Sequence, residues 1–391
     1  MPRWSSSSLL AFGFRPFFLL AALYGALSVL LWVAFLLQIA APLPLTSQWH
    51  AHEMLYGFVP AAIAGFLLTA ITNWTGAAPL AGRSLALLAG LWLLGRAAMW
   101  SVGLLPYVLV ALLDSAFLLV LATYVASVLV RAGSRRNIGL AAVLGVLAMG
   151  NVLMHMGEMW ASPLLIKAGR TLGLDVITLL MLVIAGRITP AFSANWLRAQ
   201  GREAPEAPRR WHTPLAVGSV VALALGSLCG LPAPALGALA LLAALANALR
   251  LWAWAGWRVW REPLLGVLHV GYAFIVLALL ARALYLFDLI ANPSLWYHAL
   301  GVGAMGTLIV GVMTRVSVGH TGRPLKLRPG AGAIYFAIIV AAVLRLATAS
   351  GMLPYSTGLA FSALAWAVGL LLFAALYGPL LLRPRPDGKP G

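Results

Sequence analysis

The chain has 391 residues, 62% of them hydrophobic and only 9% charged, with a mean hydropathy of +0.96. Soluble domains run at roughly 45–50% apolar and about 25% charged residues, so this composition excludes a soluble globular fold and matches a chain solvated by lipid. The formal net charge is +17, but the basic residues stand between apolar runs. That placement assigns them to membrane topology and excludes nucleic acid as their partner.

Runs long enough to cross a hydrocarbon core of about 30 Å predict an all-α polytopic membrane protein, a single transmembrane domain over 1–391. About twelve helices are expected, at 17–40, 53–72, 85–105, 107–130, 138–160, 164–186, 213–231, 233–253, 264–287, 295–315, 331–351 and 355–382. The first run is followed by no cleavage-site pattern and reads as a retained helix. The loops alternate in charge. One set, from Arg3 and Arg15 through Arg187–Arg210 to Lys389, carries 21 of the 26 Lys and Arg residues. The other set, at 41–52, 103–106, 230–234, 288–294 and 352–354, carries none. Basic loops remain on the cytoplasmic side, so both termini are expected there and the bare loops face outward.

An internal repeat is legible. His52, Gly65 and Gly76 reappear as His298, Gly311 and Gly322 at one offset of 246 residues. The segments Gly103-Leu104-Leu105-Pro106-Tyr107 and Gly351-Met352-Leu353-Pro354-Tyr355 also match, with Gly230-Leu231-Pro232 between them. The spacing predicts three four-helix repeats, over 12–135, 136–258 and 259–382, as internal repeats are common in membrane folds.

Seven histidines are present, and four lie at helix ends on the bare side: His50, His52, His155 and His298. Trp49, Trp160 and Trp296 flank them as an expected interfacial belt. One reading is that these imidazoles merely sit at the headgroups. The sharper one is a metal or haem site, because neutral imidazole is the commonest protein ligand for transition metals. His52 and His298 open matching helices and form a pseudo-symmetric pair of axial candidates, leaving His50 for a second metal. His155 lies in Met154-His155-Met156-Gly157-Glu158-Met159, where thioether and imidazole together suit copper, although methionine is ordinary packing filler in helices. Glu53 and Glu158 are candidate partners for imidazole N–H groups.

Arg96, Arg282 and Arg345 stand inside apolar helices and require anionic partners. Asp114, Asp288 and a ligand carboxylate such as a haem propionate are the candidates. Asp175 is a further intramembrane acid. The basic rim contains Phe12 to Phe18, Gly186 to Ser193 and Thr314 to Arg323, read as turn-rich helix ends. His269 is expected to be a packed helical residue and His212 an exposed loop residue. A single cysteine, Cys229, with no CxxCH motif, excludes c-type haem and an intrachain disulfide. No phosphate loop, nucleophile elbow, HExxH or dinucleotide fingerprint is present, which argues against ATP-driven or hydrolytic chemistry.

The segments FGFRPFFLLAALYG at 12–25, WHAHEMLYGF at 49–58, NVLMHMGE at 151–158, GRITPAFSANW at 186–196 and HALGVGAMGTLIVGVMTRVSVGHTGR at 298–323 together resemble the NnrS family. The resemblance covers nearly the whole chain. It implies a bacterial cytoplasmic (inner) membrane protein with haem, of b-type here, and copper. It also implies a role in nitric oxide metabolism, denitrification and resistance to nitrosative stress. The histidines on the matching motifs are His50, His52, His155, His298 and His320. The resemblance does not divide them between haem and copper, nor assign conversion, sensing or simple binding of NO.

The expectation is therefore a haem near the outer face with His52 and His298 as axial candidates. His50 and His155 are candidates for copper or the distal side, and Arg96, Arg282 and Arg345 for propionates. Nitric oxide reaches such a site from the lipid bilayer, and conversion would draw electrons from quinol. A secondary transporter or channel, or an accessory membrane protein without redox chemistry of its own, is the competing expectation.

Overall fold

The computed structural model describes residues 8–39, 45–205 and 209–389. Arg3 and part of the bare loop at 41–52 lie outside the described residues. Among the described residues twelve long helical segments follow one another: α1 (Phe14–Leu36), α2 (Ser47–Thr75), α3 (Gly82–Trp100), α4 (Tyr107–Arg131), α5 (Ile138–Met159), α6 (Pro163–Ala199), α7 (His212–Leu228), α8 (Ala233–Ala253), α9 (Pro263–Leu286), α10 (Ser294–Gly319), α11 (Gly332–Ala349) and α12 (Tyr355–Leu382). Ten are long and apolar enough to cross a membrane; α3, which holds Arg83 and Arg96, and the 17-residue α7 are the other two. The chain is a multi-pass, all-helical membrane protein. Its outward side chains are apolar, with Leu87, Leu112, Leu245 and Phe336 all exposed, as lipid-facing positions require.

Local chemistry sets the helix ends. The Thr46 hydroxyl accepts from the Trp49 N–H at 3.0 Å and caps α2. Replacing Thr46 with Ala should lower stability by about 1 kcal/mol, read as a fall in the thermal midpoint of the detergent-solubilised protein. The three Gly-x-x-Pro and Gly-x-Pro landmarks make one kind of turn. Gly103, Gly230 and Gly351 each have positive φ (88°, 71° and 79°), and the helix begins immediately after Pro106, Pro232 and Pro354. Positive φ is open to glycine at no steric cost, and proline suits the entry to a helix.

Two helices contain a π-helical turn. In α2 it covers Glu53–Phe58 and in α10 Ala299–Gly306, so it starts directly after His52 in one case and His298 in the other. Such turns widen a helix locally and are frequent at functional sites.

Some expectations need correction. The sixth helix does not end at 186 but continues to Ala199 with Pro190 inside it. At 37 residues it is about 55 Å long, well beyond the hydrocarbon core. The segment Gly186–Ser193 is therefore helix rather than turn, because proline inside a membrane helix is tolerated when neighbours re-satisfy the freed backbone. His212 is the first residue of α7, half-buried against Trp211, with ring centroids 4.1 Å apart.

The chain divides into two compact units. The first comprises the described residues up to Val176, Met313–Lys326 and the chain from Leu370; the second comprises Ile177–Val312 and Leu327–Gly369. In the first unit Phe14, Phe17 and Phe18 are fully buried, and Phe17 packs on Phe117 at 5.7 Å. The buried Arg15 of the same motif donates to the carbonyls of Leu381 (2.7 Å) and Arg383 (2.9 Å), the open C-terminal end of α12. A cation at a helix C-terminus complements its dipole and its unpaired carbonyls.

Candidate functional site

The first unit holds a buried polar cluster built from α2, α3, α4 and α5. α2 supplies His52 and Glu53, α3 Arg96, α4 Asp114, and α5 Asn151 and His155; all are at most 4% exposed. Asn151 and His155 are four residues apart and so share one face of α5.

Arg96 is the hub. Its Nη1 donates to both carboxylate oxygens of Glu53, at 2.7 and 2.6 Å, and its Nη2 donates to Asp114. Glu53 also accepts from the Tyr24 hydroxyl, which in turn accepts from Trp100 Nε1 at 3.2 Å. Asp114 Oδ2 accepts from Asn151 Nδ2 at 2.8 Å and from His155 Nε2 at 2.8 Å. With that nitrogen protonated, His155 Nδ1 accepts from the Tyr107 hydroxyl at 3.1 Å. Both His52 nitrogens meet oxygen atoms: Nδ1 lies 2.9 Å from Glu53 Oε1, and Nε2 lies 2.7 Å from Asn151 Oδ1 and 3.3 Å from Asp114 Oδ2.

The charge balance is informative. Two carboxylates face one guanidinium, so with neutral imidazoles the cluster retains one negative charge. Unbalanced charge is costly in a low-dielectric interior. A singly charged cation such as Cu(I) would restore neutrality, and a divalent one would leave the cluster one charge positive.

The donor set fits a metal ion. One ligand atom each from His52, Asp114 and His155 lies within 4.8 Å of the other two, and all three residues are buried. Ligands about 2.0–2.1 Å from a tetrahedral metal lie about 3.3 Å apart; Asp114 Oδ2 is 3.3 Å from His52 Nε2, and its 2.8 Å hydrogen bond with His155 Nε2 would open by about 0.5 Å to admit the ion. Two imidazoles and a carboxylate suit zinc, copper or iron. Glu53 on His52 and Tyr107 on His155 orient the rings from behind, the usual arrangement around metal-binding histidines.

Glycine makes room for this arrangement. A Cβ on Gly57 would lie 2.5 Å from Arg96 Nη1 and 3.1 Å from Glu53 Oε2. Gly95 brings α3 against α4, where a Cβ would lie 3.1 Å from the Asp114 Cα. Gly57→Ala should cost about 1–3 kcal/mol, because Arg96 is held by two acids and has nowhere to move. Thermal unfolding of the variant in detergent reads this directly; an unchanged midpoint would show that the guanidinium is not fixed as described.

The remaining candidates lie elsewhere. His50 is half-buried and stacks on Trp32, with centroids 5.3 Å apart and planes 7° apart. His298 lies in the second unit, where Nδ1 donates to the Ser294 carbonyl at 2.8 Å. Arg282, in the same unit, lies 4.9 Å from the Trp296 ring and donates to Ser227 at 3.1 Å. Arg345 donates to the Ser294 hydroxyl at 2.9 Å. His320 in the first unit packs 5.8 Å from Phe14, and burial together with the charge of Arg385 pushes its imidazole below the usual pKa. His269 is buried and donates to the Leu265 carbonyl at 3.1 Å, as expected of a packed helical histidine. Asp175 is buried.

The sequence reading weighed Asp114 only as an arginine partner, and it did not single out Asn151, Tyr107 or Tyr24. The available signal was Asn151 one helical turn before His155. Glu53 does hold an imidazole N–H, whereas Glu158 is exposed. Met159 is 41% exposed beside a buried His155 and offers no thioether to this cluster. Of the three tryptophans expected at the interface only Trp160 is exposed. Trp49 is buried and donates to the Met99 carbonyl at 3.3 Å, and Trp296 is buried under Arg282.

The family model described as NnrS protein matches residues 8–385, nearly the whole chain. No curated protein matches it. The match spans every helix that builds the buried cluster and the whole second unit, and the chain belongs to the NnrS family.

Proposed function

We propose that this protein acts in nitric oxide metabolism or nitrosative-stress resistance in the bacterial inner membrane, through a metal ion held by His52, Asp114 and His155. The single observation that carries this reading is the buried two-imidazole, one-carboxylate set, short of one positive charge. Copper is the preferred ion, since imidazole suits it and the family resemblance implies it. Haem is the second group that the resemblance implies; His52 gives Nε2 to the ion, so the expected axial pair reduces to His298 as the axial candidate. For His52 to ligate any metal through Nε2, its contact with Asn151 must give way, while the Glu53 contact on Nδ1 remains and holds the ring.

A bound copper or haem iron would supply a coordination position for nitric oxide. The chain's own residues bind and orient. Arg96 holds Glu53 and Asp114 in place, Glu53 aims His52, and Tyr107 aims His155. The surrounding apolar helices keep bulk water out and admit an apolar gas from the bilayer.

The test is an absorption spectrum and a metal analysis of the purified full-length protein. The reading expects a Soret band that shifts on addition of NO, and bound metal that is lost in His155→Ala. A colourless, metal-free protein that folds and transports a solute would instead support a secondary transporter, for which buried charges in a membrane bundle are also typical.

A further inference from the structure

The second unit keeps part of the first unit's chemistry but lacks its acids. The offset of 246 that pairs His52 with His298 places Ala299 where Glu53 stands. The offset of 248 that pairs Pro106 with Pro354 and Tyr107 with Tyr355 places Ser362 where Asp114 stands. An arginine is retained within one residue: Arg96 maps to 344, and Arg345 is present. Among the described residues, the helical stretches within Ile177–Val312 and Leu327–Gly369 carry no Asp or Glu, and Asp288, in the loop before Ser294, is exposed.

The structure shows the consequence. Arg345 is half-buried, and its one hydrogen bond is to the Ser294 hydroxyl at 2.9 Å. The same hydroxyl lies 3.0 Å from His298 Nδ1. Among the described residues no carboxylate pairs with Arg345. On the other face of the short turn Ser294–His298, the buried Trp296 Nε1–H has no acceptor. Donors are therefore in excess around this turn. An arginine within a membrane helix is costly unless an anion answers it, and guanidinium matches a carboxylate with two parallel hydrogen bonds.

We propose that Arg345, with Ser294 and His298 beside it, binds the carboxylate of a ligand. The inference stands apart from the cluster of the first unit and survives if that cluster binds no metal. The carboxylate has two possible sources, a free small carboxylate or a haem propionate, and the test separates them.

The full-length protein in detergent is heated in increasing acetate at constant ionic strength, with chloride as the balancing anion. Separately it is titrated with haemin and with haemin dimethyl ester, whose propionates are blocked. For a free carboxylate, acetate raises the wild-type thermal midpoint saturably, and Arg345→Gln abolishes the rise. For a propionate, acetate has no effect. Haemin then binds about 10- to 100-fold more weakly to Arg345→Gln, as loss of a charge-assisted hydrogen bond predicts, and the dimethyl ester binds wild type no better than haemin binds the variant. Arg345→Lys, which keeps the charge but not the fork, should recover part of either response. Should Arg345→Gln fail to fold, Ser294→Ala and Arg345→Lys carry the same comparison. Equal behaviour of wild type and variants towards acetate, haemin and ester overturns the proposal.

Discussion

Arg96→Met is expected to lower the stability of the folded protein by about 3–5 kcal/mol. Removing one partner of a buried ion pair leaves the other charge uncompensated, and here two carboxylates, Glu53 and Asp114, lose the same partner. Methionine fills a similar volume, so the loss reports charge rather than a cavity. The double variant Arg96→Met with Glu53→Gln removes one of the stranded charges and should recover part of the loss. The thermal midpoint in detergent checks both. If Arg96→Met unfolds at the wild-type temperature, Arg96 is not the hub of the cluster.

His155→Ala is the second large expected effect. It removes one of the three proposed ligand atoms and leaves Asp114 Oδ2 with Asn151 and His52. Metal affinity should fall by at least 100-fold, since loss of an outer-shell partner alone typically costs 10- to 100-fold. Tyr107→Phe removes only the hydroxyl that orients His155 and should cost about 10-fold. Folding should be little affected in Tyr107→Phe, so its metal affinity separates a ligand-orienting hydroxyl from a packing residue. Equilibrium dialysis against Cu or Zn reads both variants.

Much of the fold is legible in the amino-acid sequence. Membrane helices announce themselves by unbroken apolarity, so α4, α8 and α12 begin and end within a residue of their expected bounds. The end of α6 was not legible, because Pro190 and the polar run around Arg187 look like a helix stop. Only tertiary neighbours decide whether a proline is accommodated. The site was half legible. His52, His155 and Arg96 stood out as polar residues in apolar helices, where each needs a partner. Their assembly with Asp114 did not, because those residues lie 18 to 62 positions from Asp114 along the chain. Periodicity gives the face of a helix but not the neighbour it meets. Gly57 illustrates the same limit: nothing in HEMLYGF says that the missing side chain makes room for a guanidinium from α3.

The pairing of His52 with His298 rested on sequence offset, and the structure adds a local likeness, a π-helical turn beginning directly after each. The environments differ. His52 lies among two acids and an arginine, while His298 lies beside Ser294 and an arginine without acids. The acids around His52 suit the cation proposed for the first unit, and the arginine beside His298 suits the anionic group proposed for the second.

The most direct test of the central claim is the metal content of the full-length protein, purified without chelators, beside His52→Ala, Asp114→Asn and His155→Ala. The account predicts bound metal in the wild type near one equivalent at this cluster and its loss in each variant. A folded wild type that holds no metal after incubation with Cu or Zn, or variants that retain as much as wild type, would contradict it.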